Sequence, residues 1–161
     1  MNSVSIELGS AGETVALLTS FENGKFEIYD LVFGYNMTKE MIYESIIEKS
    51  SSPFDEIIAP SHFLEETKSY FSSRLKAPFE TVDKKQVEEQ KDSILYNVLR
   101  HDCLKCNPKS KSLLRYCNFC YYPIFVDAFY NLMFTHTLKQ HPLPPDFYPQ
   151  KNEKKYHKSS T

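Results

Sequence analysis

Apolar and polar residues alternate from Val4 to Leu8, and a denser apolar run, TVALLTSF, follows from Thr14 to Phe21. Lys25 to Phe33 is another aromatic and β-branched run, with Asn23-Gly24 lying between the two. Period-2 alternation and β-branched content predict three strands. Asn-Gly predicts the tight hairpin that joins the second to the third, because both residues tolerate positive φ. The period then lengthens. Ile42 and Ile46 stand four apart between Thr38, a candidate N-cap, and Lys49, which predicts a helix that Ser50-Ser51-Ser52-Pro53 stops.

Asp55-Glu56-Ile57-Ile58-Ala59-Pro60 reads as a short buried strand. Ser61 is placed to cap a helix from His62 to Arg74 with Leu64, Tyr70 and Phe71 turned partly inward. Phe79 to Val82 predicts a last strand, and Lys84 to Arg100 a long helix, polar in its first half and carrying Ile94, Leu95, Val98 and Leu99 in its second. Pro123 suits the first turn of a final helix reaching Lys139. That helix is apolar almost all round, with Ile124, Phe125, Val126, Phe129, Leu132, Met133 and Phe134 interrupted by Asp127, Asn131 and His136. A helix of this kind is buried against the body or against a partner.

The predicted class is α+β or α/β: a mixed β-sheet with helices, in the order β-β-β-α-β-α-β-α of the ribonuclease H-like fold, plus a small C4 zinc module and a hydrophobic C-terminal helix. Residues 1–100 form the body, 101–141 the zinc module with its helix, and 142–161 a Pro- and Lys-rich tail expected to be disordered.

Charge divides along the same boundary. The net charge of -2 conceals 10 Lys+Arg against 17 Asp+Glu in residues 1–100, and 9 against 4 in residues 101–161. A basic module on an acidic body is suited to meeting phosphates, or to meeting the body itself. The first residues lack the basic start and apolar run of a secretory signal, and no apolar stretch is long enough for a bilayer. The chain is therefore expected in the cytoplasm or nucleus, the nucleus favoured, neither secreted nor in contact with a membrane.

The 4 cysteines fall in two pairs, Cys103-Leu-Lys-Cys106 and Cys117-Asn-Phe-Cys120. Each C-x2-C aims two thiolates at one point, and two such pairs complete a tetrahedral shell for one structural Zn²⁺. Two disulfides would require an oxidising compartment. His101 beside Asp102 is an alternative ligand or a neighbour of the site. Catalytic groups are sparse. Glu7 is the acid of the first strand, Asp55 and Glu56 open the fourth strand instead of closing it, and His62 stands at a turn with no matching acid. No glycine-rich loop offers a phosphate cradle, and no small-molecule substrate is implied.

Across residues 103–122 the chain resembles a GATA-type, treble-clef zinc finger. Cys103-Leu-Lys-Cys106 matches the first knuckle, Leu113 and Arg115 the hairpin, and Cys117-Asn118-Phe119-Cys120 the closing Cys-Asn-x-Cys. The segment between the pairs is shorter than in that family, Leu114 replaces its Trp, and Tyr121 stands where a Gly normally follows. The resemblance implies zinc ligation by the four cysteines and phosphate contact through Lys105, Lys109, Lys111 and Arg115. Residues 4–83 resemble the connector domain of MutS-family mismatch-repair proteins, a ribonuclease H-like scaffold without nuclease residues. The strands at Ser5-Ile6-Glu7-Leu8 and Thr14–Thr19, and Ser52 to Pro60, carry that likeness.

The function expected from these features is a non-enzymatic zinc protein of DNA or chromatin transactions, touching nucleic acid through its basic module. One alternative is a scaffold or adaptor subunit with no nucleic-acid contact. It would dock a protein partner through residues 124–138, with Phe125, Phe129 and Leu132 at i, i+4 and i+7. A second alternative is a ribonuclease H-like nuclease using Glu7 and Asp55.

Overall fold

The computed structural model describes residues 1–22, 25–100 and 123–135. Five strands and four helices occur there in the order β1 (Asn2–Leu8), β2 (Glu13–Glu22), β3 (Lys25–Tyr35), α1 (Lys39–Lys49), β4 (Glu56–Pro60), α2 (Glu65–Leu75), β5 (Phe79–Val82), α3 (Lys84–Arg100) and α4 (Pro123–Phe134). They form one mixed sheet, β3-β2-β1-β4-β5, with β1 central. Strands β1, β2 and β3 are antiparallel neighbours, whereas β4 joins β1, and β5 joins β4, in parallel. Glu22 pairs with Lys25 across the hairpin, whose Asn23-Gly24 turn lies outside the described residues.

Helices cover both faces. Val4, Ile6, Ala16, Leu18, Ile57 and Ala59 pack against α1 and α2 through Ile42, Ile46, Phe71 and Leu75. Val15, Leu17, Ile28, Ile58 and Val82 pack on the other face against Val87 of α3 and Ala128, Phe129, Leu132 and Met133 of α4. The odd and even residues of each central strand therefore enter different cores, as pleating requires. Among the described residues no helix is long and apolar enough to cross a membrane.

Several sequence expectations change in the fold. Thr38 does cap α1, its hydroxyl accepting from the Met41 N–H at 3.1 Å. Ser61 does not cap α2, which starts at Glu65 after Leu64. Ser61 instead gives its N–H to the Val82 carbonyl at 2.9 Å, holding β4 to β5, and the Phe63 N–H closes a turn on Pro60 at 3.2 Å. This turn tucks Phe63 into the core and leaves Leu64, expected to be partly buried, 67% exposed. Phe129 and Leu132, expected as partner contacts, lie in the body's own core. The apolar face of α4 is spent on the sheet. The side chain of Phe125, the expected zinc ligands Cys103, Cys106, Cys117 and Cys120, and the expected phosphate contacts Lys105, Lys109, Lys111 and Arg115 lie outside the described residues.

Candidate active site

Strand β1 presents Val4 and Ile6 to one core and Ser3, Ser5 and Glu7 to the opposite face. Alternation of this kind ordinarily puts the polar face in water. Here both faces are covered, so the polar residues need partners in the protein. The Ser5 hydroxyl donates to the Ala128 carbonyl of α4 at 2.8 Å. One pleat further on, Glu7 is fully buried, and the Asn131 side-chain N–H of α4 donates to its Oε2 at 2.9 Å. Ala128, with no bulk beyond Cβ, and Ser5, with little, let helix and strand approach to this distance.

The other carboxylate oxygen, Oε1, makes no close hydrogen bond among the described residues, only a long ionic contact. It faces the ammonium of Lys84, 3.4 Å away, and that same ammonium lies 3.8 Å from Oδ2 of Asp127. Asp127 precedes Asn131 by one helical turn, so both project from one side of α4. Lys84 is the first residue of α3. Asp83 caps that helix through the Lys85 N–H at 2.8 Å. Three elements therefore converge: the end of β1, the start of α3 just beyond β5, and the middle of α4.

Burial in this setting holds the Glu7 carboxyl above the usual glutamate range. The Lys84 charge and the Asn131 hydrogen bond pull it down, while Asp127 adds to the rise. Lys84, Asp127 and Asn131 line a cleft of about 380 Å³ between α3 and α4, together with Lys85, Val87, Glu88 and Lys91, and the fully buried Glu7 lies behind them. Lys91 pairs with Glu88 at 3.3 Å and rests 5.0 Å over the Tyr130 ring. Three lysines thus line the cleft beside the carboxylates of Glu88 and Asp127.

The expected acid pair is only half present. Glu7 belongs to the site, but Asp55 lies at the other end of the sheet, where its Oδ2 accepts from the Asn2 N–H at 2.7 Å. Beside Glu7 stand Asp127, Lys84 and Asn131 instead. The sequence signal for the α4 pair was present: two polar residues four apart in an otherwise apolar helix. His62 is exposed on the turn after β4, its ring edge-on to Phe63 at 6.0 Å.

No protein-family model matches the chain, and no curated protein does. Solved structures do. The large terminase of a thermophilic bacteriophage, in complex with ADP, superposes with a TM-score of 0.61 at 14% identity over 85% of this chain and 39% of its own. This chain thus spans about two fifths of that protein. The large terminase nuclease of thermophilic phage G20c, with bound zinc, gives 0.57 at 13% identity, over 87% of this chain and 82% of its own. The Fowlpox virus resolvase in complex with Holliday junction DNA gives 0.50 at 11% identity, over 86% and 99%.

These likenesses establish a ribonuclease H-like fold. They correct the zinc-finger resemblance and the non-enzymatic reading built on it, because the similar structures include a nuclease and a resolvase and no zinc-finger family matches. Among the described residues no group of three or more His, Cys, Asp or Glu is placed to hold a metal.

Proposed function

We propose that this chain is a nuclease that hydrolyses phosphodiester bonds in DNA, assisted by a divalent cation held between Glu7 and Asp127. The observation that carries this reading is the buried Glu7 carboxylate. Among the described residues its Oε1 makes only a long ion pair, to the Lys84 ammonium, which it shares with Asp127 behind an open cleft. A buried carboxylate is ordinarily paired or hydrogen-bonded at both oxygens, and this one shares the cation at its second oxygen with another acid. The likeness of fold to a terminase nuclease and to a resolvase bound to Holliday junction DNA supports the same reading.

The donors fit one hard divalent ion such as Mg²⁺ or Mn²⁺. Both are carboxylate oxygens, and Mg²⁺ is commonly held by one or two carboxylates with water and substrate phosphate completing its shell. When bound, the ion supplies Lewis-acid polarisation of a phosphate oxygen and neutralises charge that develops there. The chain supplies the rest. Asn131 fixes the orientation of Glu7 through its hydrogen bond to Oε2. Asp127, a third exposed, is the carboxylate with access to water and so to the proton of an attacking water. Lys84, Lys85 and Lys91 line the approach and hold the charged backbone of the substrate against it.

The experiment is cleavage of single-stranded, duplex and four-way-junction DNA by the full chain with Mg²⁺ or Mn²⁺, beside Asp127→Asn and Glu7→Gln. Cation-dependent cleavage by the parent, lost at least about 100-fold in Asp127→Asn with its circular dichroism unchanged, is expected. A parent chain that cuts none of the three, or an Asp127→Asn variant as active as the parent, overturns the reading.

A further inference from the structure

Lys84 is poorly placed for a lysine whose only task is stability. It opens a helix, where the aligned peptide dipoles disfavour a positive charge. Its ammonium lies between two carboxylates, 3.4 Å from Glu7 Oε1 and 3.8 Å from Asp127 Oδ2, and both are long ionic contacts. Its side chain is 45% exposed, and it lines the open cleft with Lys85 and Lys91. It is thus held by charge and little else, with room beside it.

We propose that Lys84 is a tethered counter-ion. Its ammonium holds the position between Glu7 and Asp127 in the free protein, competes there with the divalent cation, and swings into the cleft when that cation binds. This inference rests on the nuclease reading for the identity of the ion.

Electrostatics sets the direction. Two carboxylates and one ammonium leave the group with a single net negative charge. A divalent ion placed beside the ammonium would be repelled by it at close range, and the same ion with Lys84 turned outward leaves the carboxylates balanced. Displaced toward Lys85 and Lys91, the ammonium joins a basic wall suited to a phosphate. Cation loading and phosphate contact are therefore coupled through one side chain: the ion expels Lys84 from the carboxylates, and a phosphate rewards its new position. A DNA strand in the cleft raises the affinity for the cation for the same reason.

The test is Mn²⁺ binding to the metal-free full chain, followed by electron paramagnetic resonance, in the parent, Lys84→Met, Lys84→Gln and Lys85→Met. The two Lys84 variants are expected to bind Mn²⁺ roughly tenfold or more tightly than the parent. Lys85→Met, which removes a charge from the same cleft but from neither carboxylate, is expected to stay within about twofold. Adding Asp127→Asn to Lys84→Met is expected to abolish the gain, which locates the ion. Equal or weaker binding in both Lys84 variants overturns the inference, as does an equal gain in Lys85→Met. The nuclease reading fails separately, when the parent saturated with Mn²⁺ cuts no DNA.

Discussion

Asn131 of α4 donates its side-chain N–H to Glu7 Oε2 at 2.9 Å, joining residues 124 positions apart beneath the sheet. Both residues are almost wholly buried. The bond fixes the carboxylate that the candidate site is built around, and it ties the last described helix to the first strand. Asn131→Ala leaves a buried carboxylate oxygen without its donor, which costs about 1–3 kcal/mol. A urea titration at neutral pH is expected to show this loss. Asn131→Asp is expected to destabilise further in a chelator, where two buried carboxylates face each other, and to recover when Mn²⁺ is added. Recovery without a cation would contradict the placement of the ion.

The pH dependence of stability follows from the position of Glu7. Burial raises its carboxyl above the ordinary value of 4.5, so the folded chain keeps this proton at pH values where the unfolded chain has released it. The folded state then binds more protons than the unfolded one, and stability falls as pH rises from about 4.5 towards the raised value. Glu7→Gln removes this group. In metal-free buffer it is expected to melt above the parent at neutral pH and to lose that advantage below pH 4.5. Thermal melts of both proteins across this range check the sign; an advantage that grew on acidification would refute it.

The body of the fold was legible because its signals are local. Thr14–Phe21 and Lys25–Phe33 are dense in β-branched and aromatic residues, and Thr38 supplies the cap geometry of α1 directly. The turn at Ser61–Leu64 was not, because which residue enters the core there depends on the β4–β5 ladder and not on the neighbouring sequence. Glu7 was visible as an acid on the first strand. Asp55 opens the fourth strand instead of closing it, and the register Ser3 opposite Glu56 places it at the far end of the strand from Glu7. Asp127 and Asn131 are legible as polar interruptions of an apolar helix. Only packing reveals that these interruptions meet the polar face of β1, since that contact spans more than a hundred residues.

The fate of α4 distinguishes a core helix from a docking helix. Leu132 is fully buried and Phe129 nearly so, both against the sheet residues Val15, Leu17 and Ile58. Leu132→Ala is expected to cost about 2–5 kcal/mol, from lost burial and the cavity left behind. Phe129→Asp, which places a carboxylate in that core, is expected to give an insoluble or unfolded chain. Guanidinium unfolding of the first and the yield of soluble protein for the second are the measurements. A soluble, native-like Phe129→Asp would return that side chain to the surface.

Asp55 and Asp127 provide the sharpest separation of stability from chemistry. Asp55 accepts the Asn2 N–H at 2.7 Å, at the start of β1, while Asp127 shares a cation with Glu7 towards that strand's end. Glu7 lies five residue steps along the strand from Asn2, roughly 16 Å at the usual rise. A cation bound at about 2–2.6 Å from its ligands cannot bridge that span. Asp55→Ala is therefore expected to lose about 1 kcal/mol of stability through its missing hydrogen bond and to keep the parent's cleavage rate and Mn²⁺ affinity. Asp127→Asn is expected to do the reverse, since relieving a carboxylate beside buried Glu7 costs the fold little while removing a donor to the ion. Parallel melts, Mn²⁺ titrations and cleavage assays on the two variants decide the matter. Loss of Mn²⁺ affinity in Asp55→Ala with Asp127→Asn unaffected would move the site to the other end of the sheet.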